Sequence, residues 1–283
     1  MKLWKLLLPV GGMLALCGCS GSDLLNLTIP SNGYSVQRDI AYGANPRQHL
    51  DIYMPDKADP AKPVMVFFYG GSWQTGKKED YLFVGQAFAS RGYITVIADY
   101  RLYPEVRFPA FMNDAAHAVA WVHANIAQYG GNPEHIFLSG HSAGGYIAVM
   151  LTLNEQYMKH AGGKRAWIKG TIGIAGPYDF LPFTDPEIKA LFGSAPDEDT
   201  QPINFVSTGL PPMLLVTGDK DTNVLPRNTL RLTAKLHAYS DPVIEKSYPG
   251  LAHIGIVLSL ARGFRGKAPL LEDIDSFVHQ QLK

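Results

Sequence analysis

Ile136-Phe137-Leu138-Ser139-Gly140-His141-Ser142-Ala143-Gly144-Gly145 is the stretch that decides how this chain folds. Ile136 to Ser139 read as a strand, and a helix follows from about Ala143 to Leu153. Between them Gly140-His141-Ser142-Ala143-Gly144 matches G-x-S-x-G. A turn this tight leaves almost no room for side chains two residues before and two residues after the serine. Gly140 and Gly144 occupy those two positions, and Gly145 lets the helix pack close to the strand. A match to G-x-S-x-G alone is common by chance; a strand before it and a helix after it mark a nucleophile elbow.

Working outward, strand and helix signals alternate on both sides. Val36 to Ala41 and His49 to Met54 read as a hairpin across Gly43-Ala44-Asn45-Pro46. Val64 to Tyr69 and Ile94 to Ala98 are continuous apolar runs, as expected of strands buried on both faces of a parallel sheet. The spacing predicts helices over Tyr81–Ser90 and Met112–Tyr129, the latter ending at Gly130-Gly131. Beyond the elbow come strands Ile168–Ile174 and Met213–Thr217, helix Thr229–Ala238, strand Val243–Tyr248 and a closing helix Ile274–Leu282. The implied fold class is α/β: one doubly wound, mostly parallel sheet with an antiparallel start. Ligands in such sheets sit beyond the carboxyl ends of the strands.

The chemistry follows from that placement. Ser142 is the candidate nucleophile, and in this arrangement the acid and then the histidine come later in the chain. His253 lies in Pro249-Gly250-Leu251-Ala252-His253, after the last strand, where it can reach back over the sheet. His237 and His279 fall in helices and read as structural. The loop after Thr217, Gly218-Asp219-Lys220-Asp221, offers two carboxylates. Asp221 is the expected partner of His253, because the loop must clear the strand end first, and Asp219 is expected to stabilise the turn. For the oxyanion, the backbone N–H of Ala143 is one expected donor. The loop Tyr69-Gly70-Gly71-Ser72-Trp73 supplies the other, with Gly71 and Ser72 as candidates.

Lys plus Arg and Asp plus Glu number 25 each, so no overall field favours nucleic acid. Lys2 and Lys5 followed by apolar Leu6 to Leu16 read as a signal peptide over residues 1–18. Leu16-Cys17-Gly18-Cys19 resembles a bacterial lipobox, with Cys19 the expected site of lipid attachment. Anchoring in a bacterial envelope, with simple secretion as the alternative, follows from this reading. Residues 19–32 are then a linker and 33–283 the catalytic domain. Both cysteines, Cys17 and Cys19, precede the domain, which leaves none for disulfides, thiol catalysis or metal ligation within it.

Asp99-Tyr100-Arg101-Leu102, Pro104-Glu105 and Phe108-Pro109-Ala110, with Asp114 and Trp121-Val122, resemble hormone-sensitive-lipase-like carboxylesterases. Kynurenine formamidases and bacterial feruloyl or acetyl-xylan esterase-like enzymes share the pattern. The resemblance runs from about Val36 to Ile256 and implies the α/β-hydrolase fold, the triad Ser142, Asp221 and His253, and the same oxyanion amides. The family's loop usually begins His-Gly-Gly, the histidine ordering the loop; here Tyr69 stands in that place. Ser72 and Trp73 replace a third glycine, which favours the formamidase and carbohydrate-esterase branch. The expected activity is metal- and cofactor-free hydrolysis of small carboxylic esters through an acyl-enzyme, with short acyl groups preferred because Trp73 would narrow the pocket. Alternatives are an amidase, formamidase or peptidase with the same triad, or a non-catalytic surface lipoprotein. Segments 154–167 and 179–210 would form either a small cap or loops with satellite packing.

Overall fold

The computed structural model describes residues 21–193 and 195–283; the expected leader and Cys19 lie outside the described residues. The chain begins with α1 (Gly21–Asn26), β1 (Tyr34–Ala41), β2 (His49–Pro55), β3 (Val64–Phe68), α2 (Leu82–Ala89), β4 (Ile94–Ala98) and α3 (Ala110–Asn125). It continues through β5 (Ile136–His141), α4 (Ala143–Leu153), α5 (Gln156–His160), β6 (Ile168–Ile174), α6 (Pro186–Phe192) and β7 (Met213–Gly218). The remaining elements are α7 (Arg227–Ala238), β8 (Val243–Tyr248), α8 (His253–Leu258) and α9 (Leu270–Gln281). No helix among the described residues is long and apolar enough to cross a membrane.

The eight strands form one sheet in the order β1-β2-β4-β3-β5-β6-β7-β8. β1 pairs antiparallel with β2, and β2 antiparallel with β4; every later pairing is parallel. Burial explains the composition of the strands: every residue of β3, β4 and β5 is buried, as helices on both faces require. β1 alternates partly buried and exposed positions because it is an edge strand.

Two predicted helices change character at an end. The Tyr81–Ser90 helix begins earlier, as a 3-10 turn over Lys78–Tyr81 that leads into α2. The Met112–Tyr129 helix is α-helical over Ala110–Asn125 and tightens to 3-10 over Ile126–Tyr129 before Gly130, whose φ of 85° ends it. Lys78, only 2% exposed, anchors the first of these turns. Its ammonium meets Asp39 at 2.6 Å and Asp51 at 3.2 Å, and pairs with Glu79 as well. Burial alone would lower its pKa, but the hydrogen bonds to Asp39 and Glu79, with the Asp51 charge, raise it above the ordinary lysine value. A charge buried this deeply is tolerable only while its partners remain in place, so the turn is rigidly located.

The switch point of the sheet lies between β3 and β5, which are neighbours although β4 intervenes in sequence. Phe68 pairs with Gly140, so the loops that leave these two strands run side by side. That crevice is where the site forms.

Candidate active site

Ser142 stands alone between β5 and α4 with φ 56° and ψ −122°, a conformation costly for any residue with a side chain. The neighbouring glycines are what permit it. A Cβ on Gly140 would strike the Gly144 carbonyl, and one on Gly144 would strike the Phe68 carbonyl. The Ser142 amide donates to the Ile174 carbonyl on β6 at 2.9 Å, which ties the turn to the next strand.

His253 opens α8, at the end of the loop that the sequence reading gave it. Its Nε2 lies 2.8 Å from Ser142 Oγ and its Nδ1 lies 2.7 Å from Asp221 Oδ2. Asp221 sits after β7, and its side chain is fully buried. Its other oxygen, Oδ1, accepts from the amides of Asn223 and Val224, both at 2.9 Å. These bonds aim the free oxygen at the histidine. Asp219 is exposed and does different work: its Oδ1 accepts from the Gly250 amide at 2.7 Å and braces the loop that carries His253. His237 is exposed on α7, and His279 pairs with Asp59 at 3.0 Å, remote from Ser142 in its contacts.

The loop after β3 turns through three consecutive positive φ values, at Gly71 (125°), Ser72 (54°) and Trp73 (58°). A Cβ on Gly71 would collide with the Thr75 carbonyl, so only glycine serves there. The amides of Gly71 and Ser72 bond to no other backbone group among the described residues. The Ala143 amide lies in the first turn of α4, where a helix leaves its N–H groups without intrahelical partners.

Tyr69 orders this loop. Its hydroxyl donates to Asp99 Oδ1 at 2.7 Å and accepts from Arg47 Nη2 at 2.7 Å, and its carbonyl accepts from the Tyr100 hydroxyl at 2.8 Å. Asp99 Oδ1 also accepts from the Lys78 amide. Burial raises the Asp99 pKa, while these hydrogen bonds and Arg47 work in the opposite direction. Arg101 and Asp114 form a two-pronged pair at 2.8 and 2.7 Å, joined by Gln48 at 2.8 Å. The motif residues near Asp99 thus act as scaffolding beneath the loop.

Three contributors escaped the sequence reading. His141, 1% exposed, places its Nε2 at 3.1 Å from the His253 carbonyl and its ring centroid 4.7 Å from that of His253. Burial first, and repulsion from His253 second, push its pKa down to about 3, so it stays uncharged beside His253. Its position in the elbow motif was the available signal. Tyr81, whose hydroxyl accepts from the Gly70 amide at 3.3 Å, and Arg47 had none, because each is joined to the loop only by long-range folding.

Two clefts meet at Ser142. The larger, about 940 Å³, is also bounded by Gly70, His253 and the apolar side chains of Phe83, Val257 and Leu258. The smaller, about 400 Å³, lies between Trp73 and Ala143 on one side and Phe180, Pro182 and Phe183 on the other. Trp73 does not stand over the site as a cap. It is 3% exposed, with its ring edge-on to Tyr146 and Phe192 at 5.1 and 5.0 Å. The strained turn at residues 71–73 drives it inward, where it backs the smaller cleft from the core. Residues 180–188 wall that cleft, whereas residues 154–167 line neither.

The strand order, with a serine turned out at the switch point and a histidine and carboxylate reaching it from the next loops, is that of the α/β-hydrolases. Within that class, residues 50–236 match the BD-FAE family model, and the chain belongs to this family. Isoprenylcysteine alpha-carbonyl methylesterase ICME of Arabidopsis thaliana is 30% identical over 269 residues, covering 87% of this chain and 62% of the relative. Esterase LipC of Mycobacterium tuberculosis is 30% identical over 245 residues, 78% of this chain and 60% of that protein. The chain therefore spans about three-fifths of the length of these two relatives. A truncated carbohydrate esterase from gut microbiota shares the fold with a TM-score of 0.78 at 20% identity, covering 89% of this chain and 98% of that one. Thermogutta terrifontis esterase 2 in its apo form does so with a TM-score of 0.71 at 24% identity, over 89% and 96% of the two chains.

Proposed function

We propose that the protein is a serine carboxylesterase in which Ser142, His253 and Asp221 act as the catalytic triad. The observation that carries this reading is the unbroken hydrogen-bonded series from Ser142 Oγ through His253 to Asp221, at 2.8 and 2.7 Å, opening onto both clefts. His253 Nε2 takes the Ser142 proton as Oγ bonds to the ester carbonyl carbon. The negative charge on the carbonyl oxygen is met by the amides of Ala143 and of Gly71 or Ser72. His253 then passes its proton to the departing alkoxide, which leaves as the alcohol. In the second half, His253 accepts a proton from water as the hydroxyl oxygen attacks the acyl-enzyme, and returns it to Ser142 as the acid departs. Asp221 keeps the imidazole proton on Nδ1 and stabilises the imidazolium without accepting the proton itself. The names of the relatives favour ester over amide substrates.

The two clefts divide the ester unequally. The smaller one, closed by Phe180, Phe183 and the buried Trp73, suits a short acyl group, and the larger takes the alcohol half. Each methylene beyond the end of a packed pocket costs about 1–3 kcal/mol in overpacking. Across p-nitrophenyl esters from acetate to palmitate, kcat/KM should be greatest at acetate or butyrate. A maximum at eight carbons or more would defeat the short-chain assignment.

We further propose that the protein is lipid-anchored in a bacterial envelope through Cys19, as the apolar run ending in Leu16-Cys17-Gly18-Cys19 suggests. Mass spectrometry of the mature N-terminus from the native host should find a diacylglyceryl cysteine at position 19. An unmodified terminus elsewhere would mean secretion instead.

A further inference from the structure

The larger cleft has a wall drawn from residues 19–32, the expected linker. Ser22, Leu24, Leu25 and Thr28 line it together with Ser142 and His253. A six-residue helix has no stability of its own in water, so something must hold α1 in place. Ser22 Oγ donates to Asp80 Oδ1 at 3.0 Å, and Asn26 Nδ2 donates to the Glu79 carbonyl at 2.8 Å. Both acceptors belong to the turn located by buried Lys78. The same turn carries Tyr81, which holds the Gly70 amide of the oxyanion loop. Leu25 packs against the core, which fixes the helix face.

Leu24 is the informative residue. It is 59% exposed although it sits on a tethered helix, and Ile254, at 56%, lines the same cleft beside His253. Core packing accounts for neither. Apolar side chains left open to a cleft that ends at a nucleophile are accounted for if an apolar group enters it.

We propose that α1 is a specificity wall: Leu24 and Leu25 contact the apolar, hydrocarbon or aromatic alcohol half of the ester, and the helix sets how bulky that half can be. The inference rests on Ser142 being the nucleophile. Leu24 acts by contact with the bound group and takes no part in proton transfer, so its effect falls on KM more than on kcat.

The test uses the full chain and two acetates that differ only in the alcohol, 2-naphthyl acetate and ethyl acetate. Leu24→Trp fills the cleft and Leu24→Asp makes its wall polar. In each, the ratio of kcat/KM for the naphthyl to the ethyl ester should fall about tenfold or more, the order seen when an apolar pocket changes by a methylene or so. Leu230→Asp, at a similarly exposed leucine on α7 that lines neither cleft, should leave that ratio unchanged. The rate of Ser142 labelling by a small fluorophosphonate, measured in every variant, reports an intact nucleophile. Ratios within twofold of wild type in both Leu24 variants, with labelling intact, would overturn the proposal. Failure of the wild-type chain to label would remove Ser142 as nucleophile and the wall's assignment with it.

Discussion

Ser142→Ala should lower kcat for ester hydrolysis about a millionfold, the scale on which loss of the nucleophile acts in serine hydrolases. What survives would come from the oxyanion amides and from binding alone. The fold should survive, for a local reason. The serine's backbone strain belongs to φ 56°, and alanine, with the same Cβ, meets the same strain and the same glycine-lined space. Ser142 Oγ makes its side-chain hydrogen bond to His253, so the substitution leaves no buried donor unpaired in the turn. Circular dichroism and thermal unfolding should therefore match wild type while turnover disappears. Activity within a few-fold of wild type would rule out Ser142 as the nucleophile.

Asp221→Asn should cost about 10^4-fold in kcat, the magnitude found when a triad carboxylate becomes an amide in serine hydrolases. The hydrogen bonds of this site explain why so small a change costs so much. Two amides, from Asn223 and Val224, point at Oδ1 and require an acceptor there. An asparagine must therefore place its oxygen at that position and turn its NH2 toward His253 Nδ1. Nδ1 then has to accept, which leaves the ring proton on Nε2, where it blocks transfer from Ser142. Asp219 is exposed and Asp219→Asn keeps an amide oxygen to accept from the Gly250 amide, so turnover should change only a few-fold. Steady-state kinetics on the two variants side by side decides the matter. Equal or reversed effects would remove Asp221 as the acid.

The two variants also mark a boundary between local and long-range information. The serine's position was legible because the constraint is local: a reversal within three residues needs small neighbours, and only Gly140 and Gly144 clear the Gly144 and Phe68 carbonyls. The central strands were legible because burial on both faces leaves no polar alternation, as in β3, with every residue buried. Chain order narrowed the candidate base to the loop after β8 and the candidate acid to the loop after β7. Asp221 rather than Asp219 was expected to face His253 because the loop must first clear the strand end; what the fold adds is the pair of amides, from Asn223 and Val224, that aim it.

Trp73 and α1 show the rest. Whether Trp73 covers the site or enters the core is decided by the positive φ values at 71–73 and by a cavity among Tyr146, Phe180 and Phe192, residues far away in sequence. Residues 21–26 carry no pattern that distinguishes a wall from a linker, because the groups that hold them, Glu79 and Asp80, lie more than fifty positions away. By itself, then, the sequence determined what short stretches of backbone can and cannot do: the elbow, the buried strands and the order of the chemistry-bearing loops. The tertiary structure alone decided where the tryptophan turns and what closes the cleft. Those outcomes rest on side chains and hydrogen bonds brought together across long separations, which no local pattern of residue types records.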